Sequence, residues 1–264
     1  MSIVFAASLP HTPMLIPRIG QDHANMMHHT HKAFREIADR LLKTRADSLV
    51  IVSGHGDRAH IGLTIHLRPS HPLSFENFGD FDTKLNVPGD VALANAIKHP
   101  FDTKRQDMPM IITSSLPLDY GISTPLFALN LNGVNLKTLP LQLRFKKPGP
   151  EYEIGERLRS SFVEYPGRLA VIVSANLSHR LSASSPAGIS PRARAFDKRI
   201  IENIISRNHQ SIKRLRLSTL DEVQPCGLGA LLFMLGLISG AKHEVRLISY
   251  EHPFGIGLPV FLFT

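Results

Sequence analysis

The 264-residue chain predicts an α/β fold around a mostly parallel or mixed central sheet. Three observations carry the prediction. Short apolar runs rich in β-branched residues, IVFAASL, SLVIVSG and LAVIVSA, read as strands buried on both faces. Segments with helical periodicity separate them. The chain has 43% hydrophobic and 20% charged residues, enough to bury a large core. No internal repeat, low-complexity stretch or linker divides it, so one domain over residues 1–264 is expected.

Taken in order, Ile3 to Leu9 is a strand and Asp22 to Thr44 a long amphipathic helix. Ser48 to Gly54 is the second strand, and Ala59 to Val87 mixes β-like and loop residues. Gly89 to Lys98 reads as helix, Met108 to Thr113 as strand, and Leu118 to Leu129 as a turn entering a helix. Lys137 to Leu143 is a strand and Gly149 to Phe162 a helix, followed by the strongly β-like Leu169 to Ala175. Pro191 to Arg207 is a basic helix with proline near its start, and Gly227 to Ile238 an apolar helix packed inside. VRLISYE and LPVFLF close the chain as two strands around a glycine-rich turn.

Composition narrows the function classes. No apolar run reaches the roughly 20 residues that span a bilayer, and MSIVFAASLPHTP lacks the positive region of a secretory signal, so a cytoplasmic location is expected. The net charge of +8 comes from scattered basic residues, with small clusters at Arg144 to Lys147 and Arg192 to Arg199. There is no tryptophan, zinc-finger spacing or basic tail. The footprint argues against nucleic acid and is compatible with attraction of phosphates or anionic substrates. The single cysteine excludes an intramolecular disulfide framework.

The apolar strands keep ending on a histidine. IVFAASL runs into Pro10-His11-Thr12-Pro13, SLVIVSG into His55-Gly56-Asp57, and LAVIVSA into Asn176-Leu177-Ser178-His179. In open α/β sheets, ligands bind outside the carboxyl ends of the strands, so these three imidazoles can meet at one rim. Neutral imidazole is a common metal ligand and an acid or base near neutral pH. His28, His29 and His31 lie within a helix, where a solvated face accounts for them.

Cys226, just before GLGALLFMLGLISG, sits where a helix dipole favours a thiolate. It reads equally as a soft metal ligand, a nucleophile or a small buried residue. No Walker, Rossmann or nucleophile-elbow motif is present.

Together and in this order, LPHTP, SGHGD, LDYGISTPL, SANLSHRL, AFDKRI, PCGLGAL and SYEHPFGIG resemble the class III extradiol dioxygenase (LigB-like) superfamily over nearly the whole chain. The likeness is nearest to the dioxygenase-like domain of the AmmeMemoRadiSam system proteins and, more distantly, to the Memo-like proteins. It implies a three-layer α/β/α sandwich with a mononuclear metal site at one rim. It further implies His11 and His55 as metal ligands, His179 as acid/base, and Cys226 where the dioxygenases place a glutamate ligand. Tyr120 stands where the family's LDHG motif has histidine, and Asn176 where the nearest relatives have aspartate. Asp57, Tyr120, Asn176 and Glu251 are the candidates for substrate or supporting contacts, Glu251 being the carboxylate that could stand in for the missing glutamate.

The resemblance implies Fe(II), with a small aromatic substrate and O2. Thiolate in place of carboxylate makes Zn(II) or Cu credible as well. Two other readings stay open: a metal-binding partner protein of the Memo-like kind, or a hydrolase using metal-bound water. An AMMECR1-type chain, whose domain often accompanies this one, is an expected partner, and a homo-oligomer a further expectation.

Overall fold

The computed structural model describes residues 2–55, 60–102, 109–115, 118–240 and 242–264, with the backbone alone for 98–102. The strands are β1 (Ile3–Leu9), β2 (Ser48–Ser53), β3 (Gly62–His66), β4 (Ser70–Phe75), β5 (Asp80–Pro88), β6 (Met110–Thr113), β7 (Lys137–Arg144), β8 (Leu169–Ser174), β9 (Val245–Glu251) and β10 (Leu258–Phe263). The helices are α1 (Pro17–Gly20), α2 (His28–Lys43), α3 (Val91–Asp102), α4 (Tyr120–Asn130), α5 (Pro150–Glu164), α6 (Ala193–Ile205), α7 (His209–Lys213), α8 (Leu217–Val223) and α9 (Leu228–Leu237).

Among the described residues eight strands form one mixed sheet in the order β6-β3-β7-β2-β8-β1-β10-β9, and β4 pairs with β5 in a separate hairpin. The centre, β7-β2-β8-β1, is parallel throughout, so its four carboxyl ends emerge on one edge. β2 and β8 are buried along their whole length, as their unbroken apolar sequences require.

Alternation along these strands splits the core in two. Leu49, Ile51, Ala170, Ile172, Phe5 and Ala7 pack with Phe34, Ile37 and Leu41 of α2 and with Ile122 and Leu126 of α4. Val50, Val52, Val171 and Val173 face the other way, onto Leu158 of α5, Ile200 of α6 and Phe233 of α9. The result is the three-layer α/β/α sandwich. Each fully buried Val, Leu or Ile contributes roughly 1.5–3 kcal/mol against solvent exposure.

Three expectations shift. The helix expected from Asp22 begins at His28, preceded by a 3-10 segment over Gln21–Met27. Residues 21–26 are exposed and have little to bury, whereas Glu251 on β9 accepts hydrogen bonds from the backbone N–H groups of His29 and Thr30, both at 2.9 Å, and so sets the start. The basic helix runs from Ala193 to Ile205, and the short α7 and α8 that follow were not expected. Within the mixed stretch before Val87, three strands form, two of them the β4–β5 hairpin. No described helix is long and apolar enough to cross a membrane.

Candidate metal centre

Near the carboxyl ends of the central strands Leu9 pairs with Ser174, Ser174 with Ser53, and Ser53 with Gln142. The polar side chains of Ser174, Ser53 and Gln142 therefore line the carboxyl edge of the apolar sheet. Just beyond this row the chain places the histidines.

His11 is fully buried. Its backbone N–H donates to Asn176 Oδ1 at 3.0 Å, and its Nδ1 lies 2.8 Å from the Ser174 hydroxyl. Its Nε2 lies 3.0 Å from His55 Nε2 and 3.1 Å from Cys226 Sγ. The backbone N–H of His55 donates to Ser53 Oγ at 3.0 Å, which turns the chain sharply at the strand end. Glycines make this approach feasible. A Cβ on Gly54 would sit 2.8 Å from the Cys226 carbonyl oxygen, and one on Gly121 would sit 2.4 Å from Ser53 Oγ and 2.9 Å from the His55 ring.

His179 is held by two bonds to the C-terminal end of α8: its backbone N–H donates to Val223 O at 3.0 Å and its Nδ1–H to Gln224 O at 2.7 Å. That carbonyl fixes the proton on Nδ1 and leaves Nε2 as a lone pair, 3.9 Å from Cys226 Sγ. Asp197, in the AFDKRI motif, accepts from Ser178 N–H and the Tyr250 hydroxyl and so anchors the loop that carries His179. Burial pushes the Asp197 carboxyl up to about 6. The Tyr120 hydroxyl lies 3.3 Å from His55 Nε2, and the ring of Phe78, from the β4–β5 hairpin, packs edge-on against Tyr120.

Electrostatics favour neutral ligands. Burial holds His11 well below its ordinary value, with the neighbouring His55 and His179 adding to the effect. Burial, then His179 and Arg144, bring His55 down to about 4, and burial lowers His179 as well. Cys226 departs from expectation. Burial pushes its thiol up to about 12, because desolvation outweighs the dipole of α9. A cation coordinated there would reverse that balance and bind the thiolate.

His11, His55 and Cys226 offer donor atoms that all lie within 4.8 Å of one another. Zn–N bonds of 2.0–2.1 Å and a Zn–S bond of 2.3 Å place donors of a tetrahedral ion roughly 3.3–3.6 Å apart, close to the 3.0 and 3.1 Å that separate His11 Nε2 from His55 Nε2 and Cys226 Sγ. A metal ion on His11 Nε2 requires the ring proton on Nδ1, where the Ser174 hydroxyl stands to accept it, and bare imidazole nitrogens this close repel until a cation or a proton lies between them. The N,N,S donor set fits a metal.

Glu251 is engaged elsewhere. Both its oxygens cap α2, with the Thr30 hydroxyl as a further donor at 2.7 Å, and this places it outside the donor cluster. Asp57 lies outside the described residues. Sequence reasoning missed the support beneath His55: Asp119 accepts from Ser53 Oγ and from Gln142 Nε2, and Gln142 Oε1 accepts from His66 Nε2 at 2.9 Å. Burial pushes the Asp119 carboxyl up to about 6, against those bonds. The shared Val-Ser endings of SLVIVS and LAVIVS were the one signal available for Ser53 and Ser174.

A family model described as the catalytic LigB subunit of aromatic ring-opening dioxygenase matches residues 5–261. Protein CA_C1420 of Clostridium acetobutylicum is 24% identical over 259 residues, which take in 96% of this chain and 55% of that protein. The chain thus spans about half the length of the curated relative it matches. An uncharacterized protein of Escherichia coli K12, JW3007, has the same fold at a TM-score of 0.67 and 18% identity, over 98% of this chain and 99% of that one.

Proposed function

The chain belongs to the family of the catalytic LigB subunit of aromatic ring-opening dioxygenases, and from that premise we propose that it is a metal-dependent extradiol-type oxidoreductase acting on a catecholic or related aromatic substrate. The observation that carries this reading is the convergence of His11, His55 and Cys226, with His179 Nε2 3.9 Å from the sulfur. His11, His55 and Cys226 would hold the ion. When bound, the metal supplies a Lewis acid for the substrate oxygens and the redox partner through which O2 reacts.

The residues around it have separate tasks. His179, neutral and with its Nδ1 proton committed to Gln224 O, offers Nε2 to take a proton from a substrate hydroxyl and return it as the ring opens. Tyr120, backed by Phe78, walls the site beside His55 and orients an aromatic ring. Ser174 and Asn176 keep His11 in place.

The test is oxygen uptake by protein purified without oxygen and loaded with Fe(II), across a panel of catechols. His179→Ala is expected to lower kcat by roughly 10²–10⁴-fold with metal content unchanged. Iron bound in full with no oxygen consumed by any catechol would sink the reading.

The thiol supports a second reading. A soft ligand in place of a carboxylate suits Zn(II) or Cu, as in a Memo-like metal-binding partner protein or a hydrolase using metal-bound water. Hydrolysis by the Zn(II) form under anaerobic conditions, or a stable complex with an AMMECR1-type chain that survives His179→Ala, would favour it.

A further inference from the structure

The cleft that opens beside Cys226 has a second chemical character. It has a volume of about 320 Å³ and is lined by His55 and Cys226 together with Arg144, Lys146 and Lys147. β7 runs parallel to β2, so Arg144, its last residue, leaves the sheet at the same rim as His55. Three cations in four residues thus face one hollow. Among the described residues none of these three side chains has a hydrogen bond or an ion pair. The acidic residue in the lining, Glu151, is buried and turned inward, accepting from Gly149 N–H at 2.9 Å at the start of its own helix.

We propose that Arg144, Lys146 and Lys147 form an anion subsite beside the metal ligands, and that the substrate carries a doubly charged anionic group of the phosphate monoester type. The word substrate rests on the function proposed above; the subsite rests on the cleft alone. A concave wall of like charge focuses its field and concentrates oppositely charged ligands. The guanidinium fork matches phosphate oxygens in a bidentate pair, and two lysines add mobile point charges. Three uncompensated positive charges outnumber a single carboxylate, whereas a dianion brings the subsite closer to neutrality. Phe145, Pro148, Leu220 and Pro225, also in the lining, supply apolar walls for an aromatic ring.

Calorimetric titration of the metal-loaded protein with phenyl phosphate, benzoate, phenol and inorganic phosphate tests the proposal at low salt. Phenyl phosphate is expected to bind about tenfold or more tightly than any of the other three, and to weaken as salt rises. The double variant Arg144→Gln with Lys146→Gln is expected to weaken phenyl phosphate about tenfold or more while phenol binding and metal content stay unchanged. Benzoate equal to phenyl phosphate, phenol equal to phenyl phosphate, or indifference to the double variant would each overturn the dianion subsite. Inorganic phosphate as tight as phenyl phosphate would overturn the aromatic part. The readout is binding, so retained phenyl phosphate affinity without oxygen uptake would remove the dioxygenase reading and leave the subsite standing.

Discussion

His11 and His55 aim their Nε2 atoms at each other across 3.0 Å, with the Cys226 sulfur 3.1 Å from the first. Neutral imidazoles meeting in this way, beside a thiol, are set up to share a cation. Cys226→Ala is expected to weaken metal binding on the order of 100-fold, as measured by elemental analysis and chelator competition. Unchanged metal content would make the thiol a bystander.

Ser174 touches no substrate space, yet its hydroxyl lies 2.8 Å from His11 Nδ1. Ser174→Ala releases the ring and leaves a buried nitrogen without its partner. Metal affinity is expected to fall roughly 10–100-fold. Ser174→Thr keeps the hydroxyl and is expected to restore a good part of it; an unaffected Ser174→Ala protein would show that packing alone orients His11.

Glu251 holds the N-terminus of α2 through three donors, so its role is structural. Glu251→Gln is expected to cost about 1 kcal/mol, seen as a Tm lower by roughly 2–4 °C, while metal content stays the same. Loss of metal in this variant would return the carboxylate to the site.

His71 on β4 is 1% exposed, and neither ring nitrogen has a hydrogen-bond partner among the described residues. Burial, then His66 and Arg68, bring it from 6.5 down to about 4. Between those values the unfolded chain binds a proton that the folded chain refuses. Its contribution is therefore complete above pH 6.5 and is lost as pH falls toward 4, a difference on the order of 3 kcal/mol. Denaturant midpoints at pH 7.5 and pH 4.5 measure it; His71→Phe is expected to flatten the difference, and an equally steep loss in that variant would assign the acid sensitivity to other groups.

The parts of the site readable in the sequence were those carried by strong local patterns. His11, His55 and His179 stood out because each follows an unbroken apolar strand. Their supports did not. Asp119, Gln142 and His66 come from an N-cap and two separate strands, and only the pairing of β7 with β2 and β3 brings them under Ser53. Asp197 was visible within its motif, but its task of anchoring the His179 loop depends on Tyr250 from β9. The β4–β5 hairpin, which brings Phe78 to Tyr120, was hidden because its residues alternate weakly and Pro72 interrupts them.

The sequence by itself determined the strands at the centre of the sheet, because fully buried parallel strands need continuous apolar residues and this chain has them in three places. It also determined which chemical groups follow those strands. Tertiary structure decided whether the groups meet: the order β7-β2-β8-β1 and its register bring three strand ends to one level, and neither property is encoded within any single strand. It also decided charge. The helix dipole readable near Cys226 favours a thiolate, but burial outweighs it, since desolvation depends on everything packed around the sulfur. In the same way Glu251, a free carboxylate in sequence, became the cap of a helix more than two hundred residues away.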